Sequence, residues 1–240
     1  MIFKRDFYVG YGDISKEYKL TNTSILKMFT DIAFIHARTM ADDDLGQSDC
    51  SWFVTGYKVN ILKRPEYAET ITINTWAREM KGVQASREFA VYNSQNELCI
   101  TGIANFIRIN LKTGRLDRIS NELLEKYAPE TEKTNYGNCW LDKLKEGETE
   151  DFSRSIAVER HFIDAHNHVN NVNYLFMAQD VLPDEVYAKP EAKAFSIMYK
   201  SAVTYGEKIK ACVCEKDSVY TVTVKGEEDN SLKAIVELEY

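Results

Sequence analysis

The sequence predicts an α+β protein made of two tandem half-domains, each an antiparallel sheet wrapped around a long helix. Three observations carry this reading. Apolar residues recur at helical spacing early in the chain, at Ile25, Met28, Phe29, Ile32, Ile35 and Met40, the rhythm of a helix with one buried stripe. A series of segments rich in β-branched and aromatic residues follows, separated by turn signals. The order then repeats. Tyr67-Ala68-Glu69-Thr70-Ile71 matches Tyr205-Gly206-Glu207-Lys208-Ile209 at an offset of 138, and Tyr57-Lys58 matches Tyr199-Lys200 at an offset of 142.

In chain order, a β-like entry surrounds residues 7–11. Thr21-Asn22-Thr23-Ser24 supplies four residues of N-cap type in a row, a helix start. Asp42-Asp43-Asp44-Leu45-Gly46 should end that helix. Strands are expected over 54–61, 69–76, 84–92 and 98–111. In the third, Val83, Ala85, Arg87, Phe89 and Val91 alternate with polar neighbours, so they share one face. Arg64-Pro65, Lys81-Gly82 and Thr113-Gly114 mark turns. Residues 1–127 form the first half, and 128–151 a charged linker in which Tyr136, Trp140, Leu141 and Leu144 should pack down. Residues 152–240 form the second half. There, Asn170-Asn171 caps a helix through Tyr174, Leu175, Ala178, Val181 and Leu182, stopped by Pro183. Strands follow over 195–203, 207–215, 218–225 and 232–240.

The composition is that of an ordinary globular chain, with 44% hydrophobic and 28% charged residues among 240. The net charge of −7 argues against general nucleic-acid binding, which needs a broad positive face. No apolar run approaches the roughly 20 residues of a membrane helix. The first residues carry no apolar signal core and are too acidic for a typical transit peptide, so a cytoplasmic location is expected. Cys50, Cys99, Cys139, Cys212 and Cys214 are odd in number and scattered. They suggest neither a disulfide framework nor a zinc site.

The most informative stretch is Asp164-Ala165-His166-Asn167-His168-Val169-Asn170-Asn171-Val172-Asn173-Tyr174, just ahead of the second helix. It resembles the D-x-N-x-H-V-N-N-x-x-Y motif of the acyl-ACP thioesterases. Lys63-Arg64-Pro65 and Thr113-Gly114-Arg115 support the resemblance, which covers nearly the whole chain. It implies a double hot-dog fold and hydrolysis of fatty acyl thioesters to free fatty acid. The implied partner is an acyl carrier protein, with no cofactor and no metal. By the same analogy the first helix walls an acyl tunnel, with Met28, Phe29, Ile32 and His36 as candidates.

The motif suits that chemistry. Thioester hydrolysis needs a base for the attacking water and donors for the developing oxyanion. Asp164 can be the base or orient a histidine. His166, Asn167 and His168 complete the candidate catalytic set, an imidazole being able to pass protons near neutral pH. Asn170 and Asn171 begin a helix, where free N–H groups and the helix dipole favour an anionic oxygen. The plainer alternative is that Asp164 and Asn170 only form turn and cap bonds. His161, in a strand-like run, reads as structural, and His36 as a core or pocket residue.

Three positions depart from the family pattern. His166 stands where the motif has Asn. Ala202 and Val203 stand where the family often has Glu and, in plant members, Cys. A cysteine nucleophile is therefore not expected, and Asp164 is left as the only motif carboxylate. Two rival readings remain: a hot-dog hydratase or dehydratase, and a non-catalytic acyl-binding protein. Two basic clusters could meet an acidic carrier, Lys58, Lys63 and Arg64 in the first half and Lys193, Lys200 and Lys208 in the second. The tandem repeat is compatible with a monomer or a homodimer.

Overall fold

The computed structural model describes residues 1–41 and 49–240. The expected helix stop at Asp42–Gly46 lies outside them. The chain divides into two compact units, Met1–Leu141 and Asp142–Tyr240.

In the first unit, β1 (Phe3–Tyr8) and a 3-10 turn (Tyr11–Asp13) precede helix α1 (Asn22–Ala41). Strands β2 (Cys50–Ile61), β3 (Thr70–Lys81), β4 (Gln84–Tyr92) and β5 (Leu98–Asn110) follow, then helix α2 (Asn121–Tyr127). The strands pair antiparallel in the order β1-β3-β4-β5-β2. Thr21 caps α1: its Oγ1 accepts from the Ser24 N–H at 3.2 Å. The buried stripe of α1 (Ile25, Phe29 and Ile32 among it) lies on the sheet, each such side chain contributing about 1.5–3 kcal/mol. Phe29 stacks on Phe89 of β4 at 4.3 Å. A Cβ at Gly102 of β5 would come within 2.3 Å of the Phe29 ring, so this close approach of helix to sheet requires glycine.

The other face of that sheet is covered by residues 128–141. Trp76 Nε1 donates to the Lys133 carbonyl at 3.0 Å. The fully buried Glu88 carboxylate accepts from Thr134 Oγ1 at 2.7 Å and from the Asn135 N–H at 2.6 Å. Asn105 pairs with the backbone of Cys139 and Leu141 at 3.0 and 2.7 Å.

The second unit repeats the order. It runs through β6 (Phe152–Ala157), a 3-10 turn (Arg160–Phe162), α3 (Asn171–Asp180), the short α4 (Asp184–Tyr187), then β7 (Ala194–Tyr199), β8 (Lys208–Lys216), β9 (Val219–Gly226) and β10 (Leu232–Glu239). Its sheet order is β6-β8-β9-β10-β7. Replacing each strand by its first-unit counterpart gives the same order as above. Helix α3 has 10 residues against 20 in α1.

Three local expectations are corrected. His161 lies in the 3-10 turn rather than a strand, because the Phe162 and Ile163 N–H groups turn back to Glu159 and Arg160 carbonyls at 3.1 and 3.2 Å. Strand β7 ends at Tyr199 rather than Val203: the N–H groups of Lys200 and Ser201 both go to the Lys233 carbonyl, and the chain leaves the ladder. Helices α2 and α4 were not expected. The cap of α2, Ser120 Oγ accepting from the Leu123 N–H at 3.1 Å, is hidden in a charged run. Among the described residues no helix is long and apolar enough to cross a membrane.

Candidate active site

The motif folds as a tight turn closed by a bridge between Ile163 and Val169. The Asp164 N–H donates to the His168 carbonyl at 2.8 Å, and the Asn167 N–H to the Asp164 carbonyl at 3.1 Å. Asn167 takes φ 61°, a left-handed conformation that Asn tolerates better than most residues. It is exposed, and the role this geometry gives it is conformational.

Asp164 is half-buried. Its Oδ1 accepts from the backbone N–H of His166 at 2.8 Å and of His168 at 3.4 Å. Its hydrogen bonds to the two histidines therefore run to their main chain. Both fall on Oδ1. His166 and His168 are themselves half-buried.

Asn170 is the cap of α3. Its Oδ1 accepts from the Val172 N–H at 3.0 Å, and its carbonyl accepts from the Asn173 N–H at 2.9 Å. Two of the free helix donors expected here are thus already used, and the Asn170 N–H itself goes to the Phe162 carbonyl at 2.8 Å. The donors that remain belong to Asn171, its N–H and its side-chain amide. The Asn171 carbonyl is held by Tyr199 Oη at 2.9 Å.

Tyr174, the last residue of the motif, is joined here by Glu207 and by Lys233 beside it, two residues given no functional role from the sequence. Tyr174 is buried. Burial, with the Glu207 carboxylate next and Asp164 a smaller cause, pushes its pKa well above the usual phenol range. The Val203 carbonyl accepts from the Val169 N–H at 2.8 Å, which ties the 200–206 loop to the end of the turn. Glu207 accepts from the Thr204 N–H and Oγ1, both at 2.7 Å, and lies 3.5 Å from the buried Lys233 Nζ. Burial alone would raise the Glu207 carboxyl. The Thr204 hydrogen bonds and the Lys233 ammonium outweigh it and hold the pKa below the ordinary range. Tyr174 was visible as the last residue of the motif. Lys233 was hidden by falling out of phase with the apolar alternation of its strand.

Of the first-helix candidates, Met28, Phe29, Ile32 and His36 are all buried. The Arg64 guanidinium of the first basic cluster turns inward, donating to the Leu20 carbonyl at 2.6 Å and Asn22 Oδ1 at 3.0 Å. Lys63 and Lys193 are engaged by Glu97 at 2.7 Å and Glu239 at 3.3 Å. Lys58, Lys200 and Lys208 are exposed. All five cysteines are free thiols. Burial, helped by Glu79, pushes the Cys139 thiol up to about 11.

Comparison with known proteins identifies the family. Residues 1–127 match the family model described as the acyl-ACP thioesterase N-terminal domain, and residues 145–237 match its C-terminal domain. An acyl-[acyl-carrier-protein] hydrolase of Cuphea viscosissima is 21% identical over 229 residues, covering 90% of this chain and 53% of that protein. A palmitoyl-acyl carrier protein thioesterase of Cuphea hookeriana is 20% identical over 213 residues, covering 83% and 51%. The chain thus spans about half the length of these curated relatives. The crystal structure of an acyl-ACP thioesterase from Bacteroides thetaiotaomicron superposes with a TM-score of 0.85 at 17% identity, covering 99% of this chain and 97% of that one. The 12:0-ACP thioesterase of Umbellularia californica gives 0.83 at 18% identity, covering 99% and 96%. The tandem hot-dog fold follows from these superpositions, and by the two family models this chain belongs to the acyl-ACP thioesterase family.

Proposed function

We propose that this chain hydrolyses fatty acyl thioesters carried on acyl carrier protein, by attack of water with Asp164 as the base. The observation that carries the reading is that two backbone N–H groups of the turn preceding α3 fix Asp164 Oδ1 and so hold the carboxylate in one orientation, which leaves Oδ2 to serve as the base. Water adds to the thioester carbonyl as its proton passes to Oδ2. The oxyanion is met by the Asn171 N–H and amide, and His166 or His168 helps to position the water. The C–S bond then breaks, and the proton on Asp164 goes to the departing sulfur. Preorganised donors of this kind act on charge that develops only in the transition state.

Glu207 does not take the place of the Glu absent at position 202. It is committed to Thr204 and Lys233, and its first-half counterpart Glu69 braces the same turn through the Glu66 N–H at 3.2 Å. Met28, Phe29, Ile32 and His36 are assigned to the wall of the acyl slot, and exposed Lys200 and Lys208 to contact with the acidic carrier.

The test offers the purified chain a panel of acyl-ACPs and follows free thiol and fatty acid together. Release of both supports hydrolysis. Consumption of a 3-hydroxyacyl or enoyl thioester without thiol release would indicate a hydratase or dehydratase instead. Tight binding without turnover would indicate an acyl-binding protein.

A further inference from the structure

Arg87 and His36 leave an unmet demand inside the first unit. Arg87 points to the α1 side of β4 and is 6% exposed. Its Nη1 lies 2.8 Å from His36 Nδ1 and 3.2 Å from Thr75 Oγ1, and its guanidinium carbon lies 5.9 Å from the centre of the Tyr127 ring. Burial disfavours its charge, and Tyr127 and Tyr57 offset this only in part. Among the described residues no carboxylate pairs with it. A buried cation without a counter-charge is strongly disfavoured unless something supplies one.

The imidazole sharpens the point. A guanidinium can only donate, so His36 Nδ1 must accept, and the ring proton sits on Nε2. Burial, with Arg87 adding to it, drives the His36 pKa down to about 3, so the ring is neutral. His36 is 0% exposed, and among the described residues its Nε2 meets no hydrogen-bond partner. Phe3 stacks on the ring at 5.3 Å and Tyr127 meets it edge-on at 5.7 Å. Among the described residues the centre therefore holds a positive charge with no counter-charge and a buried donor with no acceptor. Beside it Ala37, Ala77, Met80 and Ala85 pack with Tyr127 as one apolar cluster, surroundings that suit an alkyl chain.

We propose that Arg87 and His36 form a buried receptor for a carboxylate carried on an aliphatic chain, a binding site that the Asp164 motif does not include. Two sources share this chemistry: a free fatty acid, and an acyl chain ending in a second carboxylate.

The experiment compares binding of dodecanoate and of dodecan-1-ol, its neutral partner of equal chain length, to the full chain by calorimetry near neutral pH. The wild type should prefer the carboxylate by about tenfold or more, equivalent to about 1.4 kcal/mol. Arg87→Met should abolish that preference and Arg87→Lys should keep part of it. Equal binding of acid and alcohol by the wild type overturns the proposal whether or not any variant folds. So does a preference that survives in folded Arg87→Met. A second arm measures kcat/KM for acyl-ACPs ending in methyl or in carboxylate. A loss confined to the carboxylate-ended substrate in Arg87→Met assigns the site to that substrate. Unchanged turnover with lost dodecanoate binding assigns it to free fatty acid. Binding is read without catalysis, so failure of the hydrolase reading and failure of this site are separate results.

Discussion

Ser15 and Asp164 occupy the same place in two copies of one turn. The Ser15 N–H donates to the Lys19 carbonyl at 2.8 Å as Asp164 does to His168, and Ser15 Oγ accepts from the Glu17 N–H at 3.2 Å where Asp164 Oδ1 accepts from His166 at 2.8 Å. Tyr18 takes φ 59° where Asn167 takes 61°. The turn therefore holds with a neutral hydroxyl, and the negative charge at position 164 is not needed to build it.

From this pair, Asp164→Asn should keep the turn and lose the chemistry. The amide oxygen can still accept from the main chain, so thermal stability should stay within about 1 kcal/mol of wild type. Acyl-ACP turnover should fall by roughly 10²–10⁴-fold, the usual share of a general base. Turnover at the wild-type rate would reduce Asp164 to a turn brace.

His36 gives a pH dependence with a definite sign. Its folded pKa is depressed to about 3 from an ordinary 6.5, so the unfolded chain takes up a proton first as pH falls. The stability it supplies is complete above about 6.5 and is lost as pH drops toward 3, on the order of a few kcal/mol in all. His36→Asn should flatten that part of the stability profile. Parallel wild-type and variant profiles between pH 7 and 4 would show that His36 is not its source.

Gly102→Ala should destabilise the first unit by about 1–3 kcal/mol, because the added methyl meets a stacked ring in a closed core. Phe29→Leu in the same chain should recover part of the loss. Chemical denaturation distinguishes this from an additive pair.

Alkylation of the accessible thiols should leave turnover within about twofold. Burial and neighbouring carboxylates hold Cys139 and Cys212 in the thiol form, and a thiol is a poor nucleophile. Stoichiometric loss of activity on modification would point to a covalent mechanism.

The repeat, the two helix starts and most of the strands were legible in the sequence because periodicity and turn chemistry are local. Asp164, Asn170 and Tyr174 were visible as a motif for the same reason. Arg87 could be placed on the inward face of its strand by alternation alone, but nothing local said that it would find an imidazole and no acid. Local patterns could not show the end of β7, since that depends on a carbonyl of β10 reached over the fold. The fates of individual polar atoms were legible only in part. The turn bonds of Asp164 and the cap bond of Asn170 span two to four residues and were among the alternatives the sequence offered, whereas the inward turn of Arg64 and the pairing of Glu207 with Lys233 were decided by the tertiary structure. The sequence by itself determined the architecture and the family motif, through spacing. What surrounds that motif, such as the Val203 carbonyl that receives the Val169 N–H and the Tyr199 hydroxyl that holds the Asn171 carbonyl, depends on groups about 30 residues apart in the chain, and only folding brings them together.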